Sequence, residues 1–104
     1  MELTISTTPD PECYVISVAG EVDISNAAKL RESIDMALEQ PTEEVRLDFG
    51  DVSYIDSTGI GVLVGAAHHA QEHGKRFAVA NAQTNVMRVA QLLGVDQEID
   101  ISAA

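Results

Sequence analysis

Tryptophan is absent from this 104-residue chain, and aromatic residues make up only 4% of it. So few aromatic rings argue against a stacking platform for single-stranded nucleic acid. Basic side chains are also scarce, because six lysines and arginines stand against seventeen acidic residues and leave a formal net charge of −11. A body this acidic repels phosphate backbones and anionic membrane surfaces. We therefore expect neither nucleic acid nor a membrane as a partner.

Cysteine is represented by Cys13 alone, which excludes a disulfide framework and suits a reducing compartment. The first residues, Met-Glu-Leu-Thr at 1–4, lack the basic start and apolar run of a signal peptide. The longest mostly apolar stretch, 60–67, is far shorter than a membrane span. We therefore expect a soluble cytoplasmic protein, and the high charge on so small a body favours a monomer.

Hydrophobic residues make up 45% of the chain, enough for one small core, so residues 1–104 are treated as a single domain. Alternating and helical apolar spacings predict strands near 3–6, 13–19, 45–49, 77–80 and 99–101, and helices near 27–38, 57–73 and 84–93. This order requires parallel crossovers, hence an α/β fold with a mixed sheet of four to five strands. Polar residues on the second face of the strands indicate that the helices cover mainly one face. Ser25 or Asn26 is expected to cap the first helix.

The most informative stretch is 48–63, which follows a strand and opens a helix. Helix N-termini offer free N–H groups and a positive dipole end, so a phosphate on Ser57 would be stabilised there, although Asp56 would oppose it by charge repulsion. An alternative remains open, in which Ser57 is an ordinary helix N-cap. Gly61 and Gly65 each cost a helix about 1 kcal/mol relative to alanine, and we expect them to allow close packing on the sheet.

Two segments closely resemble the STAS-domain anti-sigma factor antagonists of bacteria. They are Gly-Glu-Val-Asp at 20–23 and Asp-Val-Ser-Tyr-Ile-Asp-Ser-Thr-Gly-Ile-Gly at 51–61. Both fall at the family's expected places, and the element order matches over nearly the whole chain, so the resemblance implies a single STAS domain. One departure is that family members usually continue into a further helix after the last strand, whereas this sequence ends at Ala104.

The resemblance implies a non-enzymatic partner switch. In such proteins the serine that matches Ser57 is phosphorylated by a cognate anti-sigma factor, itself a serine kinase that uses ATP. The unphosphorylated form binds that kinase and frees the sigma factor, and a metal-dependent serine phosphatase restores it. Ser57 is therefore the expected phosphorylation site, and neither a catalytic residue nor a cofactor of this chain is expected. The expected partner-binding residues are Glu21, Asp23, Asp56, Ser57, Thr58 and Gly59.

Two other interpretations belong to different functional classes. The chain could be a STAS scaffold or ligand-sensing module of a larger signalling complex, in which Ser57 is only a cap. Alternatively, Gly59, Gly61 and Gly65 after a strand superficially resemble a dinucleotide-binding loop. A chain of 104 residues lacks the paired halves of that fold, and Asn81 lies where an acidic ribose-binding residue is expected.

Two histidines, His69 and His73, are four residues apart on the second predicted helix. Such a pair can ligate zinc, but no third ligand is evident, so we expect no metal and regard a solvated last turn as the alternative. The histidines of this helix lie about 16–24 Å along its axis from Ser57, at about 1.5 Å per residue. They are therefore too distant to activate Ser57 as a nucleophile.

Overall fold

The computed structural model describes residues 3–104, so Met1 and Glu2, at the start of the segment assessed above for a targeting signal, lie outside the described residues. The elements are β1 (Thr4–Thr8), β2 (Tyr14–Val22), α1 (Ala27–Leu38), β3 (Glu44–Ile55), α2 (Ser57–Glu72), β4 (Arg76–Ala82), α3 (Thr84–Leu92), a 3-10 turn (Val95–Gln97) and β5 (Asp100–Ala103). Their order is the predicted one. No helix within residues 3–104 is both long and apolar enough to cross a membrane.

The five strands form one sheet in the order β1-β2-β3-β4-β5. β1 pairs antiparallel with β2, and the three following pairs are parallel. The parallel pairs follow from the helices α1, α2 and α3, each of which returns the chain to the same end of the sheet. The predicted mixed α/β sheet is therefore confirmed, with five strands. Because β2 and β3 run in the same direction, the segments that follow them lie side by side.

β3 is much longer than its alternating pattern predicts. The pattern covers 45–49, whereas the strand runs on to Ile55. Alternation fails after Phe49 because the buried residues then recur every third position, at Val52 and Ile55. Two register shifts in the β2–β3 pairing, each with one extra residue on β3, accompany this change and let the end of β2 pair with the extended part of β3. The two segments that carry the family resemblance therefore lie next to each other in the sheet.

Among residues 3–104, one hydrophobic core joins the strands to all three helices. Leu47 and Phe49 of β3 are fully buried, together with Ile34 of α1 and Val86 of α3. Residues on the alternate face of the strands are half-buried, such as Asp48 and Ala78, or exposed, such as Arg46. The helices thus pack on one face of the sheet, as predicted. The loops that follow β2 and β3 lie at the C-terminal ends of these two strands.

Candidate functional site

The helix α2 begins with Asp56, not Ser57, as its N-cap. The Oδ1 atom of Asp56 accepts a hydrogen bond of 3.0 Å from the backbone N–H of Gly59. The backbone N–H of Asp56 donates to the carbonyl of Val22 at 3.1 Å, which joins the helix start to the end of β2. The N-cap interpretation of Ser57 is therefore wrong, because the preceding carboxylate already takes that position. Ser57 is the first helical residue, and its side chain is exposed.

The second carboxylate oxygen of Asp56 holds the loop between β2 and α1. Its Oδ2 atom accepts a hydrogen bond of 3.2 Å from the backbone N–H of Ile24. Both oxygens of this side chain are thus engaged by backbone donors from two different segments. Because the bond to Ile24 uses its main chain, the side chain of Ile24 remains free and is 79% exposed.

The loop is closed by hydrogen bonds between its side chains and its own backbone. Asn26 Oδ1 accepts from the N–H of Asp23 at 3.0 Å, and Asn26 Nδ2 donates to the carbonyl of Glu21 at 2.8 Å. Asn26 is at the N-cap position of α1 but does not cap the helix with its side chain, since that side chain is already used in the loop. Hydrogen bonds from the hydroxyl and the N–H of Ser25 lower the pKa of Asp23, so its carboxyl group is negatively charged at neutral pH.

Gly59 is the glycine that close packing requires. A Cβ atom there would lie 2.7 Å from Cγ1 of both Ile55 and Val22, nearer than packed carbon atoms approach. At Gly61 and Gly65 a Cβ atom would meet no atom of residues 3–104 within 4 Å. The prediction that these two glycines pack on the sheet is therefore wrong. They are exposed and instead line a groove of about 500 Å³ between α1 and α2.

The structure brings the predicted partner-binding residues together at the C-terminal ends of β2 and β3. Parallel pairing sets Glu21 opposite Tyr54 and Val22 opposite Ile55, so the two following loops are neighbours. Ser57 and Thr58 are exposed, Glu21, Asp23 and Asp56 are half-buried, and Gly59 is buried. We refer to Glu21, Asp23, Ile24, Asp56, Ser57 and Thr58 as the Ser57 surface.

The sequence interpretation missed two features near the C-terminal ends of β2 and β3. The first is Ile24, whose only signal was an apolar residue between Asp23 and Ser25 in a polar turn. The second is the start of α3, where Gln83 Nε2 donates to the carbonyl of Gly50 at 2.9 Å and Asn85 donates to that of Ser53. These bonds join α3 to the extended part of β3. They depend on a strand length that the sequence pattern does not predict.

With this geometry established, comparison with known proteins defines the class of the chain. The family model described as "Mlab, STAS domain" matches residues 5–101. The chain belongs to the STAS domain family. One relative is a Bacillus subtilis (strain 168) protein named anti-sigma-B factor antagonist, which is 32% identical over 103 residues. The alignment covers 99% of this chain and 94% of that relative.

Solved structures support the same fold. The unphosphorylated anti-sigma factor antagonist SpoIIAA has a TM-score of 0.79 and 22% identity, with 96% of this chain and 89% of that chain covered. The Bacillus cell fate determinant SpoIIAA in its phosphorylated form has a TM-score of 0.72, also at 22% identity, with 96% and 92% covered. These similarities confirm the mixed five-stranded STAS fold with its three helices.

Proposed function

We propose that this chain is an anti-sigma factor antagonist that acts by partner switching. Its unphosphorylated form binds an anti-sigma serine kinase, which then releases its sigma factor, and phosphorylation of Ser57 ends that binding. The observation that carries the proposal is the exposed position of Ser57 at the start of α2, beside an ordered acidic loop. Family membership and the name of the Bacillus subtilis relative support it. The exchange takes place in the cytoplasm, where the kinase uses ATP and a serine phosphatase restores the free form.

The start of α2 can accept a phosphate without refolding. Asp56 and Gly59 already have partners for their backbone N–H groups, which leaves those of Ser57 and Thr58 without one among residues 3–104. Free N–H groups and the positive end of the helix dipole stabilise an anion at this position. Because Asp56 maintains the cap, modification of the Ser57 hydroxyl removes no bond that the helix needs.

The chemistry of the Ser57 surface indicates what its partner presents. The side chain of Ile24 is 79% exposed. The backbone of its loop is held by hydrogen bonds at Asp23 and at Ile24, so the loop is ordered before binding. Preorganisation of this kind lowers the entropy that association costs. The surrounding carboxylates of Glu21, Asp23 and Asp56 are complementary to basic groups. We therefore expect the kinase to present an apolar pocket for Ile24 that is surrounded by basic side chains.

Charge alone can operate the switch. Phosphorylation adds about −1.5 to −2 charges to the Ser57 hydroxyl. In a complex, that charge lies beside Asp56 and is partly removed from water, so both repulsion and desolvation oppose binding. A hundredfold loss of affinity requires about 2.7 kcal/mol, which one buried phosphate can supply.

The proposal is tested by capture and phosphoryl transfer. Unphosphorylated protein is used to capture the kinase from a lysate of the source organism, and the purified kinase is then incubated with the protein and ATP. We expect one phosphate per chain on the wild type and on Ser53→Ala, a matched control because Ser53 is an exposed serine four residues earlier. Ser57→Ala should receive none. Normal phosphorylation of Ser57→Ala would contradict the proposal.

The capture step also distinguishes the scaffold interpretation. If Ser57 is the switch, the phosphorylated protein no longer retains the kinase, whereas Ser57→Ala does. If both forms retain the same set of proteins, charge at Ser57 does not control binding and the chain acts as a scaffold. Purified phosphoprotein is preferable to Ser57→Glu here, because a carboxylate has less charge and fewer oxygens than a phosphate.

A further inference from the structure

Two histidines lie outside the Ser57 surface, near the C-terminal end of α2. The Nε2 atoms of His69 and His73 are 3.2 Å apart, and their rings are inclined by 65°. On its other side, Nδ1 of His69 lies 3.1 Å from Oδ1 of Asp35 in α1. The three side chains therefore form a connected row from one helix to the other. At about 1.5 Å per residue, the pair lies about 18–24 Å along the helix from Ser57.

We propose that His69 and His73 bind one divalent transition-metal ion through their Nε2 atoms. Metal–nitrogen distances of about 2.0–2.1 Å and the 3.2 Å separation of the two nitrogens correspond to a nitrogen–metal–nitrogen angle of about 100°. This angle lies between those of square-planar and tetrahedral coordination. In the free protein this contact is a hydrogen bond, which His73 Nε2–H donates to the lone pair of His69 Nε2. Metal binding replaces that proton, which moves through solvent to Nδ1 of His73, and the two nitrogens are already close enough to be adjacent ligands of one ion.

Asp35 prepares His69 for this role. An ionised carboxylate only accepts hydrogen bonds, so in the neutral form of His69 the contact with Asp35 favours the tautomer with its proton on Nδ1 and a lone pair on Nε2. A carboxylate in this position orients a metal-ligating histidine. The other oxygen of Asp35 faces Arg31, with Nε 3.9 Å from Oδ2, which helps to hold the carboxylate in place. Asp35 is therefore a positioning residue.

The site is open and takes its remaining ligands from water. Within residues 3–104, no set of three or more His, Cys, Asp or Glu side chains is arranged to hold a metal ion. His69 borders the groove between α1 and α2, which Glu72 also lines, so solvent reaches the pair. Copper(II) fits best, because imidazole and water suit its tetragonal coordination and its affinity is the highest among divalent first-row metals. The net charge of −11 further favours cations.

The test is calorimetric titration of copper(II) into the untagged, chelator-treated chain of residues 1–104 at about pH 7.5. We expect one ion per chain and at least about a tenfold loss of affinity in His69→Gln and in His73→Gln. His68→Gln is the matched control, since it removes an exposed histidine of the same helix and should change nothing. Asp35→Asn should weaken binding by about tenfold.

A second readout identifies the ligands directly. Electron paramagnetic resonance of the copper(II) complex should show coupling to two imidazole nitrogens, reduced to one in His73→Gln. Circular dichroism of each variant confirms that the fold is retained, as expected for side chains on the surface of α2. Absence of copper binding by the wild type, unchanged affinity in His69→Gln or His73→Gln, or an equal loss in His68→Gln would overturn the proposal.

Discussion

At the scale of single residues, the neighbouring Asp56 and Ser57 have different roles, which the sequence alone does not distinguish. Asp56 accepts the N–H of Gly59 with one oxygen and that of Ile24 with the other, so it fixes both the helix start and the neighbouring loop. The helix cap and the loop therefore do not depend on the side chain of Ser57, which is exposed. A hydroxyl that the fold does not need can be modified repeatedly without loss of stability, which is what a reversible switch requires.

Gly59 and Gly61 give opposite predictions for the same substitution. Gly59→Ala should lower the free energy of unfolding by about 1–3 kcal/mol, because its Cβ atom would overlap the buried side chains of Ile55 and Val22. Gly61→Ala should raise it by up to about 1 kcal/mol, since alanine favours the helix and the space is open. Urea denaturation of both variants measures the difference. Equal stability of the two would contradict the packing described for Gly59.

Ile24 should affect binding without affecting stability. Its side chain is 79% exposed and its loop bond to Asp56 uses the backbone, so Ile24→Ala keeps the fold intact. We expect the affinity for the anti-sigma kinase to fall by at least about tenfold, as for a buried apolar anchor of an interface. Leu92→Ala is the matched control, because Leu92 is equally exposed but lies at the end of α3. Surface plasmon resonance with the purified kinase provides the measurement, and equal effects of the two variants would contradict this role for Ile24.

At the scale of elements, the unexpected feature is the second half of β3. Gly50 and Asp51 have the composition of a turn, yet both lie inside the strand. The strand continues because Val52 and Ile55 are buried, and two register shifts, each with one extra residue on β3, keep it paired with β2. The extension carries the chain to Asp56 at the level of Val22, and this contact positions the Ser57 surface.

An ion cluster around Glu44 joins the start of β3 to β4, and its contribution to the free energy of unfolding should depend on pH. Burial raises the pKa of Glu44, but hydrogen bonds from Arg76, Arg46 and Cys13 outweigh it, and the pKa is lowered overall. A lowered folded-state pKa gives stability that is present above the ordinary carboxyl pKa and is lost as pH falls through the folded-state value. Glu44→Gln should therefore destabilise the protein by about 1 kcal/mol at neutral pH, and the difference should shrink below about pH 4.

Glu43→Gln is the control for this effect, because Glu43 is the exposed neighbour of Glu44. Its substitution should leave the free energy of unfolding nearly unchanged across the same pH range. Chemical denaturation at several pH values between neutral and acidic conditions gives both curves. A Glu44→Gln difference that stays constant with pH would show that the ion cluster does not contribute as described.

The sequence predicted the element order, the mixed sheet and the helix bounds well, since amphipathic spacing reports directly on which face is buried. It failed where two neighbouring residues are both suited to one role, or where burial depends on contacts between separate segments of the chain. Asp56 and Ser57 are both good caps, so their spacing could not assign the N-cap. Gly59 and Gly61 are the same residue type two positions apart, and the proximity of Ile55 and Val22 distinguishes the buried glycine from the exposed one.

At the scale of the whole molecule, the hydrophobic core joins the strands to the three helices, and the Ser57 surface lies at the C-terminal ends of β2 and β3. Phosphorylation should therefore act locally. In heteronuclear NMR spectra of the phosphorylated protein, we expect backbone amide shifts at residues 21–26 and in the first turn of α2, with β4, β5 and α3 nearly unchanged. Far-ultraviolet circular dichroism should be the same in both forms. Shifts spread through the distant strands would indicate a conformational rather than an electrostatic switch.

The most direct test of the account is the affinity of the purified anti-sigma kinase for two forms of this protein. Titration calorimetry compares the unphosphorylated chain with the chain phosphorylated at Ser57 alone, with Ser57→Ala as a form that cannot be modified. We predict that the unphosphorylated chain and Ser57→Ala bind alike, and that the phosphate weakens binding by at least about a hundredfold, equivalent to about 2.7 kcal/mol. Equal affinity of the phosphorylated and unphosphorylated forms would contradict the proposal that Ser57 is the switch.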